Sequence, residues 1–230
     1  MSIALILIDI QNDYFKNGKC ELFQSEETAE NAKKILLFFR KNNLPVIHIQ
    51  HISTDKTASF FLPNTHGSEI NKIVFPLDNE EIITKHTPDS FFETDLQSIL
   101  EKKNITNLVI CGMMSHMCID TSVRTAKKLR YDITLISDAC TTKNLSWNNI
   151  EINANTVHQV FMASLQNSFA DVKTQINFYL TITNKNIHYV KRASLIYLSL
   201  LFNHLKLDAF YHFYIHNIRL YILYSYITII

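Results

Sequence analysis

The chain has few of the features that mark secreted or disulfide-stabilised proteins. Its 230 residues include four cysteines, which form neither a Cys-x-x-Cys pair nor a regular disulfide spacing. The opening residues MSIALILI carry no basic segment and no small-residue cleavage site, so we expect a first strand there and not a signal peptide. These absences favour the reducing cytoplasm as the location of the protein.

Long apolar runs are missing as well. Ala193 to Phe202 and Leu220 to Ile230 are both shorter than the roughly 20 residues that a membrane-spanning helix needs, and Arg219 and polar residues separate them. We therefore predict no integral membrane span.

Neither positive nor negative charge predominates in the chain. The net charge is +1, but residues 181–230 hold five basic groups against one acidic group, which leaves 17 basic and 20 acidic groups in the first 180 residues. A mildly acidic body argues against nucleic acid as a partner.

Apolar runs of strand length alternate with amphipathic stretches along the first 178 residues. This alternation predicts an α/β protein with a three-layer α/β/α fold, built on a central, mostly parallel sheet of the Rossmann-like kind. We predict strands at 3–8, 46–50, 81–85, 108–112, 133–136 and 169–173, and helices at 26–42, 95–103, 118–130 and 150–166.

Three residues with reactive side chains lie at the ends of these strands. Asp9, Lys85 and Cys118 each stand at or just beyond the C-terminal end of a central strand, and such ends share one edge of a parallel sheet. Cys118 also opens a predicted helix, where unpaired N–H groups and the helix dipole favour the thiolate. Each residue taken alone has an ordinary alternative: a buried cysteine, a turn-capping aspartate and a solvated lysine.

The motifs around these residues resemble those of the isochorismatase-like cysteine hydrolases, which include nicotinamidases and carbamoylsarcosine amidases. The similar segments are DIQNDYF from Asp9, KHTPDSFFETDL from Lys85 and GMMSHMC ending at Cys118, and the resemblance covers about residues 2–178. Three ordered motifs at these separations form a specific signature.

The resemblance implies a mechanism. Asp9 would take the thiol proton of Cys118, Lys85 would supply positive charge, and the sulfur would attack a carbonyl carbon to give a thioester. Backbone N–H groups of Met114 and Cys118, around a cis Met113–Met114 peptide, would form the oxyanion hole. Family members that are isochorismatases lack the cysteine, so Cys118 favours hydrolysis of a small amide or a related C–N bond without a cofactor. The resemblance also implies a homo-oligomer.

A metal site is not expected. Nicotinamidases carry an Asp-x-His cluster after the second strand, but here that place reads His48-Ile-Gln-His51 and has no aspartate. His48 and His51 lie three residues apart on a strand and would project to opposite faces, so they could not share one ion. Nicotinamide is therefore not the expected substrate.

Further pocket residues follow from their location near the motifs or in the long loop at residues 53–78. Gln11 is expected to orient Asp9 through hydrogen bonds, and aromatic residues are expected to form an apolar wall, although such side chains are equally typical of a core. His51 has a structural role as its alternative. The candidates for substrate binding are Gln11, Phe15, His51, Phe60, Phe91 and His116, with Phe61 beside them.

The chain changes character after Phe178. Eight of its ten tyrosines lie at Tyr179 or later, and glycine and proline are absent there. We divide the chain into a hydrolase domain at 1–178 and an atypical tail at 179–230. The tail is consistent with a surface helix for a membrane or a partner, with a swapped arm, or with a reading-frame shift, which its lack of caps and turns favours.

Two other functions stay open at this stage. The domain could be a non-catalytic scaffold that acts through partners, or Cys118 could serve thiol redox chemistry if Cys140 lies close enough to react with it.

Overall fold

The computed structural model describes residues 2–55 and 57–182. The elements below all lie within the unit Met1–Phe178. Apart from residues 179–182, the predicted tail lies outside the described residues. No helix of the described part of the chain is both long and apolar enough to cross a membrane.

Six strands form one sheet in the order β3-β2-β1-β4-β5-β8, and every neighbouring pair is parallel. Helices flank it, which confirms the predicted three-layer fold. The α-helices that lie wholly within this unit are α1 (Ser25–Lys41), α2 (Leu96–Lys102), α3 (Asp120–Lys128) and α4 (Ala154–Leu165). The strands are β1 (Ile3–Ile8), β2 (Val46–His51), β3 (Glu81–Lys85), β4 (Asn107–Met113), β5 (Asp132–Thr141), β6 (Leu145–Trp147), β7 (Ile150–Ile152) and β8 (Asp171–Lys173).

The sheet order creates a crevice at one edge. All six residues of β1 are buried, as a continuous apolar run between two parallel neighbours requires. The chain moves outward through β2 and β3 on one side of β1 and through β4 and β5 on the other. Strand order therefore reverses direction between β1 and β4, and the C-terminal ends of such strands are where α/β proteins bind ligands.

Two predicted helices begin later than the sequence suggested. The helix predicted at 150–166 begins at Ala154, because Asn148 and Asn149 adopt left-handed turns and β6 and β7 form a separate antiparallel hairpin. The Asn153 side chain then caps α4 by accepting a hydrogen bond from the Thr156 N–H at 2.9 Å. The helix predicted at 118–130 is preceded by a π-helical turn, Ser115–Ile119, so Cys118 lies inside this turn.

A part-buried ionic network holds the start of β3 against α1 and β2. Arg40 binds both carboxylate oxygens of Glu80 at 2.7 and 2.8 Å, and His48 Nε2 lies 2.9 Å from the same carboxylate. Burial alone would raise the pKa of Glu80, but hydrogen bonds from Arg40, the Leu77 N–H and His48 lower it to about 2. The network thus fixes the strand that carries Lys85.

We expect Glu80→Gln to lower the free energy of unfolding by about 1–3 kcal/mol at pH 7, because it removes charge-assisted hydrogen bonds. The folded-state pKa of about 2 lies below the unfolded value of about 4.3, so this stabilisation is complete above pH 4.3 and disappears as the pH falls towards 2.

Urea unfolding at pH 7, 4 and 2.5 measures this difference. Glu69→Gln is the matched control, because Glu69 pairs with His66 on the surface. An equal deficit of Glu80→Gln at pH 7 and pH 2.5 would contradict the ionic origin of the stabilisation.

Candidate active site

The structure brings Asp9, Lys85 and Cys118 together at the carboxyl edge of the sheet. Lys85 Nζ lies 2.8 Å from Asp9 Oδ2 and 3.2 Å from Cys118 Sγ. The three residues are 0%, 1% and 4% exposed, so the cluster is shielded from bulk water. A carboxylate, an ammonium and a thiol in such contact can exchange a proton and stabilise a thiolate.

The turn that carries Cys118 depends on a close approach between β4 and β1. Gly112 has a φ of +132°, and a Cβ atom at this position would lie 2.0 Å from the Ile8 carbonyl oxygen. Only glycine fits both requirements. The Met113–Met114 peptide that follows is cis, as the resemblance implies, and the Met114 carbonyl accepts hydrogen bonds from the N–H groups of Met117 and Ile119.

Lys85 is surrounded by acceptors. Besides its contacts with Asp9 and Cys118, Nζ donates to the Thr87 carbonyl at 2.9 Å and lies 3.1 Å from His51 Nδ1. Burial by itself would lower the pKa of Lys85, but the charges of Asp9 and Cys118 outweigh it and raise the pKa overall. Lys85 is therefore a permanent ammonium at neutral pH.

The electrostatics of Cys118 differ from the sequence expectation. Burial raises the pKa of its thiol, and the negative charge of Asp9 raises it further, while Lys85 lowers it. The expectation that the helix start favours a thiolate is wrong for the resting site, because desolvation of the sulfur dominates. Reaction at this sulfur needs a base.

Asp9 is placed to be that base. It follows β1 in a left-handed conformation with φ of 52°, and it is fully buried. The 2.8 Å contact with Lys85 is an ion pair that is not aligned as a hydrogen bond, and neither carboxylate oxygen has a hydrogen-bond partner among the described residues. One of its oxygens lies within 4.8 Å of the Cys118 sulfur, a position from which a carboxylate can accept the thiol proton.

Gln11 has a different role from the predicted one. Its side chain clamps the backbone of His51, accepting from the His51 N–H at 2.7 Å and donating to the His51 carbonyl at 2.8 Å. It also donates to the Ser68 carbonyl at 2.8 Å. Gln11 makes no hydrogen bond to Asp9, so the prediction that it orients the carboxylate directly is wrong, and its fully buried amide is committed to His51 and Ser68.

The aromatic candidates divide into two groups. The Phe60 and Phe61 rings contact each other, and Phe61 lies 5.8 Å from the His51 ring. Phe91 instead stacks on Tyr131, which precedes β5 at the opposite edge of the sheet, because its segment leads away to α2.

Phe15 and His116 are the remaining predicted residues. Phe15 is buried and lies in the segment between β1 and α1. His116 hydrogen-bonds to the Thr142 hydroxyl, and its ring contacts Phe161.

The sequence interpretation missed two residues. Tyr14 is buried against Phe60 and Phe61, and burial together with the nearby charges of Cys118 and Asp9 raises the pKa of its phenol. The position of Tyr14 in the first motif could have indicated its place near the cluster. Thr87 contributes its backbone carbonyl, and the residue type does not indicate such a contact because every residue has this group.

The described residues contain one group of metal-ligand type. Ligand atoms of Asp9, His51 and Cys118 lie within 4.8 Å of one another. Lys85 Nζ lies among them at 2.8 to 3.2 Å, so a metal ion would have to displace this ammonium. His48 Nε2 lies 2.9 Å from the Glu80 carboxylate on the opposite face of the strand. His48 and His51 are therefore not placed to bind one ion together.

Comparisons with known proteins identify the family of the chain. The family model for the isochorismatase domain matches residues 3–176. The chain belongs to the isochorismatase family. YddQ, an uncharacterized member from Bacillus subtilis, is 49% identical over 174 residues, which cover 76% of this chain and 97% of YddQ.

Two further proteins are similar to the chain. The crystal structure of an isochorismatase-type protein from Oleispira antarctica has a TM-score of 0.75 and 40% identity, and the match covers 77% of this chain and 95% of that one. Streptothricin hydrolase from Streptomyces noursei is 28% identical over 142 residues, which cover 62% of this chain and 50% of that protein. The family consists generally of hydrolases.

We expect Lys85→Met to slow the reaction of Cys118 with iodoacetamide at pH 8 by about tenfold or more, because each unit by which the thiol pKa rises removes nine tenths of the thiolate. Lys85 is the positive charge that lowers the pKa of Cys118. Mass spectrometry of the peptide that contains Cys118 measures the rate.

Lys103→Met is the control, because Lys103 forms only a 3.5 Å surface pair with Glu81. An unchanged rate in Lys85→Met would show that the ammonium does not act on the sulfur.

Proposed function

We propose that the protein is a cysteine hydrolase that cleaves a small amide or a related C–N bond through a thioester intermediate. Cys118 is the nucleophile, Asp9 the general base and Lys85 the positive charge that stabilises the thiolate. One observation carries this proposal: a single buried ammonium touches both the Asp9 carboxylate and the Cys118 sulfur.

The reaction begins with proton transfer. Asp9 accepts the thiol proton of Cys118, and the sulfur attacks the carbonyl carbon of the substrate. The N–H groups of Met114 and Cys118 stabilise the tetrahedral oxyanion, and a preorganised donor of this kind contributes about 10²- to 10³-fold to the rate.

Collapse of the tetrahedral intermediate breaks the C–N bond. The protonated Asp9 gives its proton to the departing nitrogen, which leaves as ammonia or an amine, and the acyl group stays on the sulfur as a thioester. Asp9 then takes a proton from water, the resulting hydroxide equivalent attacks the thioester, and the carboxylic acid product leaves with Cys118 restored as a thiol.

Two further facts support a hydrolase over a scaffold. All three residues of the proposed triad are present and in contact, and a scaffold would need none of them. Streptothricin hydrolase, a relative, is named for hydrolysis of a chemical compound. The expected substrate is accordingly a small molecule. The cytoplasmic location and the homo-oligomeric state stay predictions from the sequence.

The test is ammonia release from a panel of small primary amides. We expect the wild type to hydrolyse at least one of them and Cys118→Ala to be inactive. Asp9→Asn should lose roughly 10²- to 10⁴-fold in kcat, because it removes the general base.

Cys20→Ala is the matched control, since Cys20 is a free thiol outside the cluster, and it should keep the wild-type rate. Activity that survives in Cys118→Ala would refute the nucleophile. A wild type that cleaves no C–N substrate, although folded, would favour the scaffold instead.

A further inference from the structure

The ammonium of Lys85 has three N–H bonds and three aligned acceptors. These are the Thr87 carbonyl at 2.9 Å, His51 Nδ1 at 3.1 Å and Cys118 Sγ at 3.2 Å. Asp9 Oδ2 is nearer, at 2.8 Å, but receives no aligned hydrogen bond. An ammonium can donate only three hydrogen bonds, so the acceptors together decide in which direction each N–H points.

The fold places the His51 ring beside this ammonium with little freedom. His51 ends β2 and is the register partner of Lys85, the last residue of β3, so both side chains leave the same face of the sheet. Gln11 holds the His51 backbone through two hydrogen bonds, and Phe61 packs against the ring. The position of Nδ1 is therefore set by strand register and by a buried clamp.

The contact also defines the protonation of the ring. Lys85 carries only donors, so Nδ1 must present its lone pair, and the proton of the neutral ring resides on Nε2. Burial, followed by the charge of Lys85, lowers the pKa of His51 to about 4, so the ring is uncharged at neutral pH.

We propose that His51 is a positioning residue for Lys85: its neutral Nδ1 binds one ammonium N–H, so that another points at the Cys118 sulfur and none ties up the Asp9 carboxylate. The assignment rests on the proposed function for its catalytic meaning. Without this acceptor, one N–H is free to turn to Asp9. That hydrogen bond would make the carboxylate a weaker base and would loosen the contact with the sulfur.

Three substitutions separate this role from simple filling of space. In His51→Asn the side-chain oxygen takes the place of Nδ1 and can accept from Lys85. In His51→Gln the amide lies nearer to the place of Nε2, and in His51→Leu no acceptor remains. All three keep the clamp of Gln11, which binds only the backbone.

The first readout is the rate at which iodoacetamide modifies Cys118 at pH 8, which needs no substrate. We expect His51→Leu and His51→Gln to lower this rate by about 10- to 100-fold, the value of one hydrogen bond to a charged group, and His51→Asn to stay within about threefold of the wild type. An equal rate in His51→Leu and the wild type overturns the proposal, as does an equal loss in His51→Asn and His51→Leu.

The second readout uses an amide substrate from the panel. We expect His51→Leu to lower kcat by a similar factor with little change in KM, because His51 acts on Lys85 and not on bound substrate. A rise in KM at constant kcat would assign His51 to substrate binding and reject the positioning role. Activity of Cys118→Ala would reject the proposed function, while the alkylation result would still decide the role of His51.

The third readout is independent of any substitution at Lys85 or in the triad. Nitrogen NMR of the wild type at pH 7, with the His51 signals identified by their loss in His51→Asn, reports which ring nitrogen is protonated. We expect an unprotonated Nδ1 and a protonated Nε2. A proton on Nδ1, or a charged ring, would overturn the proposal whatever the alkylation rates of the other two variants.

Discussion

A buried positive charge organises this site. Removing an ammonium from water costs several kcal/mol unless close partners compensate it, and Lys85 is 1% exposed. Neighbouring strands lie about 4.8 Å apart, so the step from β3 across β2 to the end of β1 is about 10 Å. A long side chain is needed to reach Asp9 over this distance, and His51, at the end of the strand between them, lies beside its path. The strand order therefore determines which residues the ammonium meets.

The exclusion of water from the site affects both the pKa of the thiol and the stability of the thiolate. Burial raises the pKa of Cys118, so the thiol is stable at rest, and under the proposed mechanism the sulfur becomes reactive when Asp9 removes its proton. The same burial strengthens the attraction between Lys85 and a thiolate, because charges interact more strongly away from water. A single cause thus disfavours the thiolate before the reaction and supports it once the proton has moved to Asp9.

The sequence was sufficient for the parts of the molecule that depend on local pattern. Continuous apolar runs located the central strands, and their ends located Asp9, Lys85 and Cys118, because parallel strands share one carboxyl edge. The sequence did not predict the features that depend on contacts between residues far apart in the chain. The partner of Gln11 is a backbone 40 residues away, and the ring of Phe91 packs at the other end of the sheet. The late start of α4 follows from two consecutive asparagines in left-handed conformations, a turn that competes with helix at this point.

The loop at residues 53–78 packs against the segment that follows β1 and carries Asp9. Asp13, four residues after Asp9, accepts the Phe61 N–H at 2.7 Å, and Gln11 holds the Ser68 carbonyl. A Cβ atom at Gly67 would lie 2.1 Å from the Asp13 carboxylate, so this part of the loop is packed against the segment that follows β1. Since Gln11 also clamps His51, the residues that shape the loop and those that orient Lys85 share the same support. A change of the loop that moved Ser68 would therefore reach the ammonium through the side chains of Gln11 and His51, so under the proposed function the loop and the alignment of Lys85 are linked.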